Sequence, residues 1–287
     1  MSSQLPDAAP DGSASAPSEM SAQPTPAVPP KPRHHVRTAA IAGAFLVFTV
    51  LACTPAIGGV DVDLGAFVEH WRNGWNKFVQ LLQPNLAFLP RTVGPMLETL
   101  QMAVVGACAA ALVSVPLTLW AAKPTNPSWP LRTIVRTIIN VIRSVPDLVY
   151  ASILVVMVGT GALPGVLTLF LFDIGIVVKL VSEAIDSSEH GYMEAGRAAG
   201  GSQLQINRLT ALPQVMPLFA NQWLYVLELN VRISAILGLV GAGGIGRLIE
   251  ERRSFFRYDD VSAVILEILV VVIIIEVISN LLRRRLV

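Results

Sequence analysis

Eight ionisable side chains fall inside long apolar runs of this chain: Arg143, Asp147, Asp173, Lys179, Glu228, Arg232, Glu267 and Glu276. At membrane depth such a group costs several kcal/mol unless it is paired or faces water, so each marks a candidate pathway or relay position. Arg143 and Asp147 are four apart, as are Glu228 and Arg232, a spacing that puts each pair on one helix face. Pro146 lies between the first two, and a helix it bends is tolerated in a membrane where the freed carbonyls line a cavity. Passage of an anion would call for cationic and hydrogen-bonding groups offered weakly enough for release. Arg232 with Asn230 is the first candidate for that chemistry and Arg143 the second; alternatively both arginines are consumed by Glu228 and Asp147, or by packing between subunits. Asp173 and Lys179, six apart, share no face and need partners on other helices or places near helix ends. Glu267 and Glu276 have no accompanying His and suggest no metal site.

Enzymatic chemistry is poorly provided for. His34, His35, His70 and His190 lie in loops or the tail, leaving a Ser-His-Asp hydrolase without a buried general base. Asp147 and Asp173 lack the Gly-rich flanks of an intramembrane aspartyl site. There is no G-x-x-x-x-G-K-S/T, and the G-A-G-G-I-G run at 241–246 follows an apolar span, without the strand, Lys and acidic residue of a nucleotide loop. Cys53 and Cys108 sit in apolar runs and are too few for a disulfide scaffold or a zinc site. Lys+Arg 21 against Asp+Glu 20 gives a net charge of +1, so no global basic field draws nucleic acid.

The elements that must hold these residues are membrane helices. Of the 287 residues 53% are hydrophobic and 14% charged, against about 25% charged in an ordinary soluble domain. An all-α polytopic membrane protein with about six transmembrane helices is expected, at 38–60, 96–122, 131–158, 165–185, 217–240 and 261–282. Residues 1–37 read as a disordered tail, rich in Ser, Ala and Pro and ending in basic residues; the run after it is too long for a signal segment and reads as an uncleaved first span. Between the first two spans, 61–95 alternates Trp71, Trp75, Phe78 and Leu82 with Glu69, Arg72 and Lys77, the pattern of a helix in the outer interface. With both termini in the cytoplasm, Lys31, Arg33, Arg37, Lys123, Arg132, Arg136, Arg197, Arg208 and Arg283 to Arg285 lie inside and outnumber the basic residues outside. The four arginines between 247 and 257 run against that rule, offset by Glu250, Glu251, Asp259 and Asp260. Gly238, Gly241, Gly243, Gly244 and Gly246 allow either close helix approach or a broken helix at an outer gate.

The one long polar segment inside the cell is 182–213. Glu194, Ala195, Ala198 and Ala199 favour helix, Gly200 and Gly201 break it, and 203–212 resumes it until Pro213 and Pro217 interrupt it again. Small residues on the first short helix would let a partner's groove close over it, with Glu194 and Arg197 anchoring the rim.

Glu194, Ala195, Gly200, Leu212 and Pro213 stand at the spacing E-A-A-x-x-x-G-x9-I-x-L-P, and the segment resembles the coupling loop of permease subunits of bacterial binding-protein-dependent ABC importers. Gly196 replaces the usual second Ala and Thr210 the usual Ile, and Gly196 would leave the first helix less rigid. The run Leu224 to Gly246, with Glu228, Asn230 and Arg232, and the stretch Arg143 to Tyr150 are similar to the phosphonate-type permeases more than to methionine or osmoprotectant permeases. The resemblance covers about 90–285, and implies a core at 96–287 working as a transport subunit with no catalytic residue, metal or cofactor of its own. It further implies two cytoplasmic ATPase subunits that use ATP and Mg, a second permease copy or sister chain, an external substrate-binding lipoprotein, and residence in the bacterial inner membrane. Glu194, Ala195, Gly196, Arg197, Ala198, Gly200, Leu212 and Pro213 would couple to the ATPases; Arg143, Asp147, Glu228, Asn230 and Arg232 would line the pathway; Gly241, Gly243, Gly244 and Gly246 would serve the gate. The cargo would be a phosphonate or related phosphorus oxyanion. A carrier driven by an ion gradient is the rival, and it has no need of a docking loop at this spacing.

Overall fold

The computed structural model describes residues 35–52, 64–188 and 191–286. The expected tail up to residue 34, the end of the first span beyond Ala52, the start of the outer segment, and Glu189 and His190 lie outside the described residues, while 35–37, also expected in the tail, begin a helix. Two compact units are present, Met1–Val68 and Glu69–Val287. The first unit contains α1 (His35–Ala52), whose apolar stretch is short for a membrane crossing.

Among the described residues the second unit is helical throughout, without strands. It begins within α2 (Leu64–Leu81), which exposes the stacked Trp71 and Trp75 with Phe78 tilted against Trp75, and continues through a short 3-10 turn at Leu86–Arg91. Four helical runs are long and apolar enough to cross a bilayer: α3 (Val93–Ala121), α6 (Ala162–Ser187), the continuous run Gln203–Val240, and α11 (Tyr258–Leu286). A fifth crossing is a pair, α4 (Trp129–Ser144) and α5 (Asp147–Val158), bent by 86°. The third span expected at 131–158, with a bend at Pro146, is therefore two helices meeting at that proline. Val145 precedes a proline and is extended, as is Pro146, so two successive residues leave the helical region and no hydrogen-bond ladder crosses the joint.

The core forms where α3 lies against α6 and both against the long run. On α3 the buried stripe is small: Ala103, Gly106, Ala107 and Ala110. A methyl on Gly106 would stand 2.9 Å from Cβ of Leu169, so the absence of a side chain sets how closely α6 approaches. On α6 the buried side chains recur every fourth residue, Leu169, Asp173, Val177, Val181 and Ile185. At the far end Phe88, Met96, Ile245 and Val264 close a second cluster under α10 (Gly244–Ser254). The outward faces of α3 and α11 expose Val104, Val105, Leu112, Ile273, Ile274 and Ile278, apolar surface suited to lipid rather than water.

Candidate functional site

The connection between α3 and α4 and the segment after α6 meet at one end of the core. Asp186, in the last turn of α6, accepts the Lys123 amide at 2.7 Å and Arg136 Nη2 at 2.5 Å, and Arg136 Nε donates to the Ala121 carbonyl. Beyond this clamp α7 (Gly191–Ala198) drops Met193 fully into the cluster of Ile185, Ile206, Ala211 and Phe219. The helix then ends in a Schellman motif: Gly201 N–H reaches the Gly196 carbonyl and Gly200 N–H the Arg197 carbonyl, with Gly200 at φ +79°. Ser202 and Gln205 form a capping box that opens α8 (Gln203–Ile206). Three side chains tie this hairpin to the neighbouring turn, Arg197 to the Pro124 carbonyl and both Gln203 and Asn207 to that of Thr125.

The expected short helix, turn and second helix are thus present, with two differences. Pro213 does not interrupt the second helix. A π turn at Asn207–Ala211 carries α8 into α9 (Leu212–Leu237): the Leu212 amide bonds the Asn207 carbonyl, and the widened turn accommodates a residue that lacks a donor. Arg197 is bonded within its own chain. Exposed on the hairpin are Glu194, Ala195, Ala198, Ala199 and Gly200, beside Leu204 at 78% and Leu209 at 69% exposure. Leu212 is half-buried and Pro213 exposed where the π turn joins α9.

The expected pathway residues separate into three settings. Arg143 ends α4 and Asp147 begins α5, on either side of the 86° bend, so the pair does not share a helix face as its spacing suggested. Both line a cavity of about 300 Å³ with Tyr150, Phe172 and Ile176. Gly175 makes room for the Arg143 stem, and Tyr150 Oη bridges the bend by donating to the Ile142 carbonyl at 3.0 Å. Glu228 and Arg232 do pair along α9, and Arg283 of α11 approaches Glu228 from the other side at 3.8 Å. Asn230 lines no open path: it is fully buried, with Nδ2 donating to Asp173 Oδ2 at 2.7 Å. Lys179 is satisfied within its own helix by Glu183.

At the opposite end the glycines form a tight turn. Gly241 has φ +90° and its carbonyl accepts the Gly161 amide at 3.0 Å, joining the turn after α9 to the one between α5 and α6. Gly243 and Gly244 also have positive φ; a side chain on Gly243 would strike Gly161, and one on Gly244 would strike Thr99, whose hydroxyl accepts the Ile245 amide. Gly246 lies directly against Gly238 and Ala235. Close approach accounts for Gly246, while Gly241, Gly243 and Gly244 combine close neighbours with the left-handed backbone of the break between α9 and α10.

Residues 114–287 match the family described as binding-protein-dependent transport system inner membrane component. The chain belongs to this family. Among related permeases, the phosphite transport system permease protein PtxC of Stutzerimonas stutzeri is 37% identical over 205 residues, 71% of this chain and 74% of that one. The phosphate-import permease protein PhnE of Mycolicibacterium smegmatis is 35% identical over 216 residues, 74% of this chain and 41% of that one. Of solved structures, an inward-facing form of the MetNI methionine ABC transporter matches with a TM-score of 0.61 and 25% identity over 68% of this chain and 96% of that chain.

Three features of this permease escaped the sequence: the Asp186 clamp, the dependence of the hairpin on carbonyls at 124 and 125, and the Asp173–Asn230 pair. The last had a legible signal. Asp173 falls on the four-residue stripe of Leu169, Val177 and Val181, and Asn230 lies four residues from both Val226 and Ser234, so each shares a face with residues of the core.

Proposed function

We propose that this chain is the membrane-spanning subunit of an ATP-driven importer that carries a phosphorus oxyanion, a phosphonate or a close relative such as phosphite or phosphate, into a bacterial cell. The carrying observation is the α7–α8 hairpin: its own chain holds it rigid from behind through Met193, Arg197, Gln203 and Asn207, while Glu194, Ala195, Ala198 and Leu204 remain outward. A protruding, pre-organised element of this kind suits docking to a cytoplasmic ATPase. The similarity to phosphite and phosphate-import permeases supports the cargo class. Two ATPase subunits binding ATP and Mg, a second permease and an external binding protein complete the assembly, with the hairpin and both termini in the cytoplasm. Loaded binding protein would favour one conformation of the permease over another, and the hairpin would transmit that preference to the site of hydrolysis.

The direct test is uptake into proteoliposomes of labelled phosphite, methylphosphonate, phosphate, methionine and choline, with the co-encoded ATPase and binding protein and ATP inside or absent. ATP-dependent uptake of a phosphorus compound is expected. Uptake of methionine or choline instead would move the chain to another solute class, and uptake by the permease alone on a proton or sodium gradient would overturn the ATP-driven reading.

A further inference from the structure

Asp173 and Asn230 are both 0% exposed, in the middle of two membrane helices, and together they hold more acceptors than donors. The two hydrogens on Asn230 Nδ2 go to Asp173 Oδ2 at 2.7 Å and to the Ala103 carbonyl at 3.4 Å. Nothing remains for Asp173 Oδ1 or Asn230 Oδ1, and both are buried without a partner. Exchanging the Asn amide atoms leaves the count unchanged, since a carboxylate only accepts and a carboxamide has a single donating group. Among the described residues no cation forms an ion pair with Asp173. Most charged groups on the helices packed against it are engaged with other partners: Lys179 with Glu183, Arg136 with Asp186, Arg232 and Arg283 with Glu228. Glu98 lies against Gly243, and Arg143 and Asp147 line the cavity at the bend. An ionised carboxylate sealed in this setting would lack both a counter-charge and half of its hydrogen bonds, which is among the most costly arrangements a protein interior can hold.

We propose that Asp173 is a proton-binding site, present as a neutral carboxylic acid whose Oδ1–H donates to Asn230 Oδ1. One proton then satisfies both orphaned oxygens at once and makes a reciprocal acid–amide pair, two antiparallel hydrogen bonds between α6 and α9. The pair joins the helix that enters the docking hairpin to the helix that leaves it. It holds while α6 and α9 stay packed; a rearrangement that parts them admits water, and the acid can release its proton to that water. The inference stands on the packing of α6, α9 and α3 and is independent of which solute is carried.

The test uses the full chain in phospholipid nanodiscs. Infrared spectra at neutral pH should contain a carboxylic-acid carbonyl band that shifts in deuterium oxide and is lost in Asp173→Asn. That variant supplies a second carboxamide and keeps both hydrogen bonds without a proton, so it should fold and melt no lower than the wild type. Absence of the band, its persistence in Asp173→Asn, or failure of that variant to fold would each overturn the proposal. So would a wild-type melting temperature that rises with sodium chloride but not choline chloride, because the free oxygens, with Ser234 Oγ one turn along, would then be holding a metal cation.

Discussion

Gly196 and Thr210 face one another across the α7–α8 hairpin: a methyl on Gly196 would stand 3.5 Å from Cγ2 of Thr210 and 3.3 Å from Cγ1 of Ile206. The two positions at which the loop departs from its family's usual residues are therefore neighbours, and a smaller residue at each lets α7 settle closely on the start of α8. Gly196 need not make α7 loose, because packing replaces what helix propensity gives up. Gly196→Ala should gain up to about 1 kcal/mol of propensity and lose part of it to the crowded Ile206, leaving the melting temperature level or slightly raised. Gly196→Leu should lift α7, expose Met193 and lower it. Thermal unfolding in detergent distinguishes the two.

Gly200 and Glu194 test docking from two directions. Gly200→Leu forces a side chain into left-handed backbone at a cost of about 1–2 kcal/mol, which should disorder the turn and with it the exposed face. Glu194→Ala alters only the exposed face and should leave stability unchanged. Both should insert normally, abolish uptake and fail to co-purify the ATPase. Wild-type co-purification by both variants would remove the hairpin from the docking role.

Glu228 has two guanidinium neighbours and Arg232 has one carboxylate, so the members of the pair are not equivalent. The Glu228 side chain is 13% exposed and that of Arg232 49%. Glu228→Gln leaves Arg283 and Arg232 facing each other without an anion and should destabilise by roughly 1–3 kcal/mol. Arg232→Gln leaves Glu228 with Arg283, so assembly and basal ATPase activity should persist while oxyanion uptake slows; Arg232→Lys should retain more uptake because the charge survives. A normal uptake rate in Arg232→Gln would transfer the positive charge of the pathway to Arg143.

Pro146 keeps α4 and α5 apart. Pro146→Ala frees Val145 to become helical, which should open the 86° bend toward a straight span and reduce the cavity around Arg143 and Asp147. Spin labels at Trp129 and Val156 would report a longer distance in the variant, and uptake should fall. An unchanged distance would show that contacts with α6 fix the bend.

Features set by nearby residues were legible in the sequence. The apolar runs marked the membrane helices, and the order Glu194, Gly200, Pro213 marked the hairpin, because a glycine turn and its caps are decided within a few residues. Features set by distant residues were not. A proline in a helical run does not show from sequence alone how it will act: at Pro146 two extended residues make a real joint, at Pro213 a π turn absorbs it, and α3 runs on through Pro116. Asn230 between Glu228 and Arg232 looked like part of a charged lining, but successive residues of a helix point in different directions, and the choice between lumen and core fell to Asp173, 57 positions away. Arg143 and Asp147 were separated for the same reason, since four residues make one face only if the helix continues through them.

The run from Gln203 to Val240 is 38 residues without a break, roughly 57 Å at the usual helical rise, while the hydrocarbon layer is about 30 Å thick. Such a rod projects well past the lipid; its π turn, at Asn207–Ala211, sits next to the hairpin rather than midway, and the helix continues through Pro217. A tilt imposed at Gln203 would therefore swing Gly238 and the packed glycines beyond it in the same instant, as the long arm of a crank turns its far pin. The two ends of the molecule would open and close in step because one inflexible piece of backbone belongs to both.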